Sequence, residues 1–388
     1  MLILNDGQKS GIEKVLRWYF NPNKKQLFFF AGSAGTGKST CVSTAVEMIG
    51  LLKYQVIYVT PTGKAASVLR KKGCIANTVH ATFYVVLQDS KTGKTHFAKK
   101  KKLSSAIKLI VIDEFSMVNG KMIEDILSFG IPVLALGDPG QLPPMYYPNP
   151  YLKNPDVFLT EVMRQDGESG IIHLATLARH NVPIDYGEYI ESRVIHIGEL
   201  NDIEKYDVVL CWTNKACDEL NRTIRKKKGL LSKYPLAGEK LLCLRNNYEY
   251  ELRYMEDMVL NPVNGMLMYN VYDFIDPDSV ADYLNLTYTP DFLENECDFK
   301  FFETKVSKIP FDMLSDGETF DSEKALDINH DTVVMRYGYA CTVTKSQGSE
   351  WDNVLVIDDY HGNHDEYGQW LYTAITRAKE KVTLAREI

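Results

Sequence analysis

Over roughly the first third of the chain, apolar residues fall in short uninterrupted runs rather than in strict alternation. Leu27–Ala31 reads LFFFA, Val56–Thr60 VIYVT, Leu109–Ile112 LIVI and Val133–Gly137 VLALG. Runs of this length, rich in β-branched and aromatic residues, predict strands buried on both faces. Between them the apolar spacing lengthens to that of a helix, over 38–50 and Lys64–Lys72. Strands joined by helical crossovers predict a parallel sheet covered on both sides. Residues 83–97, FYVVLQDSKTGKTHF, interrupt the pattern. Two strand-like runs flank polar residues and Gly93, which predicts a β-hairpin inserted into the α/β unit at about 81–107.

The same alternation resumes further on. Asp207–Cys211 is a predicted strand, Lys215–Lys228 a helix, Val354–Ile357 a strand, Gln369–Lys379 a helix and Val382–Leu384 a closing strand. Between them, about 240–335 is rich in Tyr, Phe and Asp and carries Asn264-Gly265, a hairpin signal between apolar runs. The expected architecture is therefore α/β, with two parallel-sheet domains in tandem. The first, 1–165, holds the hairpin, and the second, 166–388, is interrupted by a small β-rich insertion.

Composition narrows the class only a little. The chain has 388 residues, of which 45% are hydrophobic and 24% charged, an ordinary globular balance. No apolar run is long enough to span a membrane, and the N-terminal residues do not read as a secretion signal. The seven cysteines are scattered without a C-x-x-C pair, which argues against a zinc site and fits a reducing, cytoplasmic setting. A net charge of −7 weighs against a wholly basic nucleic-acid surface. The charge is uneven, however: residues 271–331 carry sixteen Asp or Glu against four Lys, whereas Lys99–Lys102 and Lys226–Lys228 are basic runs.

Candidate chemistry starts at residues 32–39, GSAGTGKS, which fit G-x-x-x-x-G-K-[ST] between a predicted strand and a predicted helix. Glycines such as Gly35 and Gly37 let backbone N–H groups curl round phosphate oxygens, and the helix N-terminus adds partial positive charge. Thr36 and Thr40 belong to the same cradle. Lys38 is placed to reach the β- and γ-phosphates, and Ser39 to ligate Mg²⁺. Asp113 and Glu114 end the LIVI strand, where open α/β sheets bind ligands. Asp113 is the expected second Mg²⁺ ligand, and Glu114 the group that polarises the attacking water. Gln141, in the Gly-Asp-Pro-Gly-Gln turn after the next strand, is placed to sense the γ-phosphate. Arg377, in an otherwise mostly apolar predicted helix, and Arg164 are candidate arginine fingers. On the residues alone, a structural ion pair is the plainer account of each arginine. The nucleotide motif alone also leaves open a small-molecule kinase or transferase.

Taken in order, Asn5-Asp-Gly-Gln8, GSAGTGKST, VTPTGKAA, NTVHATF, IDEFSM, LGDPGQLPP, LTEVMRQ, TVTKSQGSEW and YTAITRAKE form a set. This set resembles superfamily 1 helicases of the 5′-to-3′ branch, the RecD- and Dda-like enzymes. The resemblance implies two RecA-like motor domains and a DNA helicase that uses ATP and Mg²⁺ in replication or recombination. RNA as substrate stays open, because the superfamily contains both kinds. By the same resemblance Gln8 reads the adenine, and Gly348 and Glu350 join the nucleotide site. Thr62, Lys64, Thr78 and His80 from the first domain, and Thr344, Lys345, Ser346 and Gln347 from the second, meet the nucleic-acid backbone. Many relatives have His where this chain has Thr344. A hydroxyl there can bond a phosphate but cannot stack on a base or titrate near neutral pH. The hairpin matches the position of a strand-separating pin, with His96 or Phe97 against the last base pair and Lys99–Lys102 suited to the duplex backbone. The expected partners are single-stranded and forked DNA and other replication proteins, with no membrane; two motors on one chain make a monomer sufficient. A phage-encoded enzyme acting in the host cytoplasm fits this picture.

Overall fold

The computed structural model describes residues 4–88, 95–144, 146–161, 169–244, 252–254, 258–260, 267–272, 281–290, 302–320 and 332–387. The chain divides into two compact units, Met1–Gly167 and Glu168–Ile388.

In the first unit the elements run α1 (Asp6–Phe20), β1 (Leu27–Gly32), α2 (Lys38–Ile49), β2 (Val56–Thr60), α3 (Gly63–Lys71), β3 (Ala76–Thr78), α4 (Val79–Phe83), β4 (Tyr84–Gln88), β5 (Thr95–Lys99), β6 (Leu109–Ile112), α5 (Gly120–Leu127), β7 (Val133–Gly137) and β8 (Val157–Leu159). Six strands form a parallel sheet in the order β3-β2-β6-β7-β1-β8. Strand geometry sends successive side chains to opposite faces, and β1 supplies both cores. Leu27, Phe29 and Ala31 pack with Val79, Phe83, Ile110 and Ile123, whereas Phe28 and Phe30 pack with Ile12, Val15, Val42 and Leu134. Burial of a phenylalanine of this kind contributes about 2–3 kcal/mol. Strands β4 and β5 stand apart as an antiparallel pair with Val86 opposite Phe97 and Leu87 opposite His96. The inserted hairpin is thus present, and its turn at 89–94 lies outside the described residues.

The second unit begins with α6 (Gly170–Arg179), β9 (Gly187–Tyr189), β10 (Ser192–His196), β11 (Val208–Cys211) and α7 (Asn214–Lys227). It continues with β12 (Lys240–Cys243), β13 (Leu252–Tyr254), β14 (Met258–Leu260), β15 (Leu267–Tyr272), β16 (Tyr283–Pro290), β17 (Phe302–Ser307), α8 (Ile309–Ser315) and β18 (Met335–Tyr337). It closes with β19 (Ala340–Thr342), α9 (Val343–Ser346), β20 (Trp351–Asp358), α10 (His364–Ile375) and β21 (Ala378–Arg386). Its main sheet, β19-β11-β20-β21-β10-β9, is parallel except at the β9 edge. The β-rich insertion is an antiparallel sheet, β17-β16-β15-β12-β18. The Asn264-Gly265 signal within it lies outside the described residues. The two sheets share one core, in which Leu241, Leu284, Val306 and Met335 pack with Val209 and Leu355. Arg225 of α7 pairs with Glu239 at the start of the insertion through Nε–Oε1 and Nη2–Oε2 bonds of 2.7 and 3.0 Å. The guanidinium lies 4.0 Å from the centre of the Tyr337 ring. Such a two-pronged, stacked ion pair suits arginine and not lysine.

The last helix differs from its sequence expectation. It ends at Ile375, capped by Thr376, rather than reaching Lys379, and β21 already begins at Ala378. Pairing of Trp351 with Ala378 draws the chain into the sheet, so Arg377 lies in the turn beyond the helix.

Candidate nucleotide and nucleic-acid site

The turn between β1 and α2 requires its glycines. Gly35 and Gly37 have φ of 76° and 77°, in the left-handed region that only glycine enters without strain. Thr36 Oγ1 closes the turn by donating to the Ser33 carbonyl at 2.9 Å. Lys38 opens α2 and folds back, its Nζ donating to the Gly32 and Ser33 carbonyls, each at 2.8 Å. No side chain caps the helix start, so the N–H groups and dipole of its first turn face the loop. Gln8 lies beneath this turn, buried. Its Nε2 donates to the Thr36 carbonyl at 3.1 Å, and its Oε1 accepts the Asn5 N–H at 3.0 Å. A Cβ on Gly37 would meet Gln8 Nε2 at 2.7 Å. Both halves of the amide are therefore engaged with protein, so the side chain supports the loop.

The acidic pair ends β6, which is separated from β1 in the sheet by β7 alone. Asp113 Oδ1 accepts the Glu114 N–H at 2.9 Å. Burial pushes the Asp113 carboxyl above its ordinary range, opposed by that N–H and by the Lys38 and Lys72 ammonium groups. Ser39 and Asp113 line one cavity of about 550 Å³, together with Thr40, Tyr58 and Lys72. A hydroxyl and a carboxylate facing one cavity are hard oxygen donors of the kind Mg²⁺ takes. Glu114 has φ of 53°, a left-handed conformation that costs a non-glycine residue about 1–2 kcal/mol and that clusters at functional positions. Gln141 follows β7; it is buried, and its Oε1 has no hydrogen-bond partner among the described residues. A buried amide oxygen in that state costs free energy until something donates to it.

Thr62 and Thr78 follow β2 and β3, whose ends pair Thr60 with Thr78. Each hydroxyl caps a helix, accepting the Ala65 and Ala81 N–H groups respectively, and keeps its own proton to donate. Lys64 lies in the first turn of α3, half-buried. His80 is half-buried between rings, 5.0 Å from Phe97 and 5.5 Å from Tyr84, and burial pulls its pKa down. Phe97 is 48% exposed; the side chain of His96 lies outside the described residues. The hairpin base is tied to α5: Tyr84 Oη donates to Asp125 at 2.8 Å, and Lys99 Nζ reaches Asp125 and Ser128 at 3.4 and 3.0 Å. Lys100 Nζ donates to the Ala81 carbonyl. The first half of the lysine run is thus engaged in protein contacts, while Lys101 and Lys102 follow it as exposed residues.

In the second unit, Thr344 is exposed at the short helix α9, whereas Ser346 and Gln347 are buried, and the Ser346 hydroxyl donates to the Val343 carbonyl. Lys345 is held down to a pKa of about 8, first by burial and then by the neighbouring Arg336. Arg336 itself is buried and bonded to Asn214 and Asp218. Gly348 has φ of 76°, and Glu350 is exposed. Arg377 is 3% exposed. Its bonds go to the Thr373 and Ser349 carbonyls and the Thr376 hydroxyl, at 3.0, 3.1 and 3.1 Å. All three partners are neutral. Arg164 lies outside the described residues.

Sequence reasoning overlooked several contributors. Lys72 near Asp113 and Asp125 under the hairpin carry no motif, because their role depends on pairing between distant segments. Tyr146 and Tyr147 were legible as two aromatic residues in a proline-rich run, PPMYYPNP, but the residues alone give no reason to weigh them.

The phosphate loop at one strand end, the acidic pair at another and a second parallel sheet further along the chain define a P-loop ATPase with tandem RecA-like units. The AAA domain family matches residues 3–199, and the UvrD-like helicase C-terminal domain matches 337–385. The chain belongs to the AAA domain family and is a superfamily 1 helicase of the RecD/Dda/Pif1 type, an ATP-dependent enzyme. It is 26% identical to the ATP-dependent RecD2 DNA helicase of Deinococcus radiodurans over 92% of this chain and 46% of that protein. It is 25% identical to the ATP-dependent DNA helicase dda of Enterobacteria phage T4 over 68% of this chain and 66% of that protein. The chain thus spans about half and two thirds of these two relatives. A Pif1 helicase structure described as unwinding forked double-stranded DNA shares the fold, with a TM-score of 0.58 at 18% identity, covering 98% of this chain and 92% of that one.

Proposed function

We propose that the protein is an ATP-dependent DNA helicase that moves 5′ to 3′ along single-stranded DNA and separates duplex at a fork. The relatives named as DNA helicases and the fork-unwinding Pif1 structure support this reading. The observation that carries it is Arg377, a buried guanidinium whose partners among the described residues are neutral oxygens. A buried charge without a counter-charge is costly, and a γ-phosphate is the anion this chemistry supplies.

In this reading, ATP lies on the phosphate loop with Lys38 turned from the Gly32 and Ser33 carbonyls to the β- and γ-phosphates, and Gly348 and Glu350 complete the nucleotide site. Gln8 holds the loop from below through the Thr36 carbonyl and reads the adenine with the second proton of its amide nitrogen. Ser39 and Asp113 would hold Mg²⁺, which would compensate phosphate charge. Glu114 takes the proton of the attacking water, and Gln141 Oε1 accepts a hydrogen bond from that water. Arg164 and Arg377 close onto the γ-phosphate between the two motor units, which moves one unit along the strand; loss of the γ-phosphate releases them. Thr62, Lys64, Thr78 and His80 grip the backbone from one unit, and Thr344 and Lys345 from the other, while Ser346 and Gln347 shape that second grip from within. The hairpin, with Phe97 exposed, splits the duplex.

Steady-state ATP hydrolysis with and without single-stranded DNA, at low salt because backbone contacts weaken as salt rises, tests the assignment. Strong stimulation is expected, followed by unwinding of a 5′-tailed duplex and not of a 3′-tailed one. Hydrolysis indifferent to DNA, or Lys38→Ala retaining stimulated hydrolysis, overturns it.

A further inference from the structure

Residues 146–150 follow the Gln141 turn, and the proposed function leaves them unused. Tyr146 and Tyr147 are 71% and 62% exposed. Large apolar side chains left in water contribute nothing to the core, yet this pair is held on a rigid support. Tyr147 has φ of 56°, a left-handed conformation unfavourable for a bulky residue. Its carbonyl accepts the Gly120 N–H at 2.9 Å. Gly120 is needed there, because a Cβ at that position would meet the Pro148 carbonyl oxygen at 2.7 Å. Asn149 is buried, and its Nδ2 donates to the Phe115 carbonyl at 3.1 Å while its Oδ1 accepts the Tyr151 N–H at 3.0 Å. Phe115 is the residue after Glu114. The exposed Lys121 is next in the chain to Gly120, whose N–H holds the Tyr147 carbonyl.

Strain at an exposed position persists only where the surroundings over-determine it, and it marks a functional site more often than a packing accident. Exposed aromatic faces on a loop fastened one residue in the chain from a lysine match the chemistry of unpaired bases, which stack on rings while their phosphates seek cations. From this we infer that Tyr146 and Tyr147 form a stacking platform for the unpaired bases of single-stranded DNA. Asn149 ties the platform to the Phe115 carbonyl, so a base seated there bears on the turn that holds Glu114. The inference rests on the DNA reading above and adds to it a base contact distinct from the backbone grips and the hairpin.

The test uses the full chain and fluorescence anisotropy with a labelled oligothymidine strand and a matched strand of abasic spacers. Tyr146→Ala and Tyr147→Ala are each expected to weaken binding of the base-bearing strand about tenfold, and Tyr146→Phe and Tyr147→Phe to retain it. On the abasic strand all five proteins, wild type included, are expected to bind alike. Alanine variants that bind the oligothymidine as tightly as wild type overturn the platform. An equal loss on both strands also overturns it, because that pattern belongs to backbone contacts or to a collapsed loop, which melting curves of the variants identify. Absence of wild-type binding to either strand overturns the DNA reading itself, a result distinct from the other two.

Discussion

The two parallel sheets follow the same pattern but hold their charged groups in different ways. In the first unit, Lys38, Asp113, Glu114 and Gln141 each sit within a residue or a short turn of a strand end. Their geometry is made locally, by left-handed glycines, a bond from one residue to the next, and a loop folded on itself. In the second unit, Arg377 bonds back to Ser349 on the far side of β20, and Lys345 is tuned by Arg336, a residue at the end of the antiparallel insertion. The first arrangement is a site in its own right. In the second, Lys345 lies under burial and the charge of Arg336 from the accessory sheet, whereas Arg377 draws on Ser349 besides its own turn. The acidic insertion is thereby an integral part of that motor and shares its core.

Perturbing each unit sharpens this contrast. The largest effect is expected at Arg377: Arg377→Ala lowers the ATP turnover number by about 10³-fold or more, with nucleotide affinity nearly unchanged, and Arg377→Lys fails to restore it. Stopped-flow nucleotide binding beside steady-state turnover separates the two quantities, and a loss confined to affinity contradicts the finger role. Glu239→Ala leaves Arg225 buried and unpaired, at a cost of about 3–5 kcal/mol. Calorimetry is expected to show the loss in the second unit's transition while the first holds; a shift of both equally means the units do not respond separately. Lys38→Ala is expected to reduce turnover about 10²- to 10³-fold with little change in melting temperature, since its hydrogen bonds to the Gly32 and Ser33 carbonyls lie within the loop. The smallest effect concerns Lys345. Its pKa in the free protein is lowered to about 8, so its charge is present below that pH and lost above it, with Arg336 and the thiols of Cys217, Cys243 and Cys341 facing it. A bound phosphate favours the charged form, so DNA affinity is expected to fall by up to about tenfold per pH unit above 8. Lys345→Arg flattens this dependence; a wild-type profile that is already flat removes Lys345 from the DNA contacts.

The strands of the first sheet were legible because burial on both faces leaves uninterrupted apolar runs, and β1, β2, β6 and β7 fall close to their expected bounds. The phosphate loop was legible because its glycines answer a purely local demand. Arg377 shows where legibility stops. Residues 369–379 carry a helical spacing of apolar residues, yet pairing of Trp351 with Ala378 ends the helix early, and no local signal reports a partner so far back in the chain. Gln8 is legible in part: the motif around it is visible, whereas the contacts of its amide come from the capping of α1 and from Thr36. The buried state of Ser346 and Gln347 follows from the packing of α9, which their polar character does not reveal.

The eight-residue helix α5 carries a mechanical consequence. At its C-terminal end, Asp125 and Ser128 clamp the hairpin base. At its other end, Gly120 is fastened to the Tyr147 loop, beside the turn of Glu114 and Phe115. A helix of this length is a strut of about 12 Å, too short to bend appreciably. In the proposed reading, resistance met by the hairpin is delivered as thrust along α5 to the residues around Glu114. In that reading, the load on the hairpin and the timing of hydrolysis share one beam.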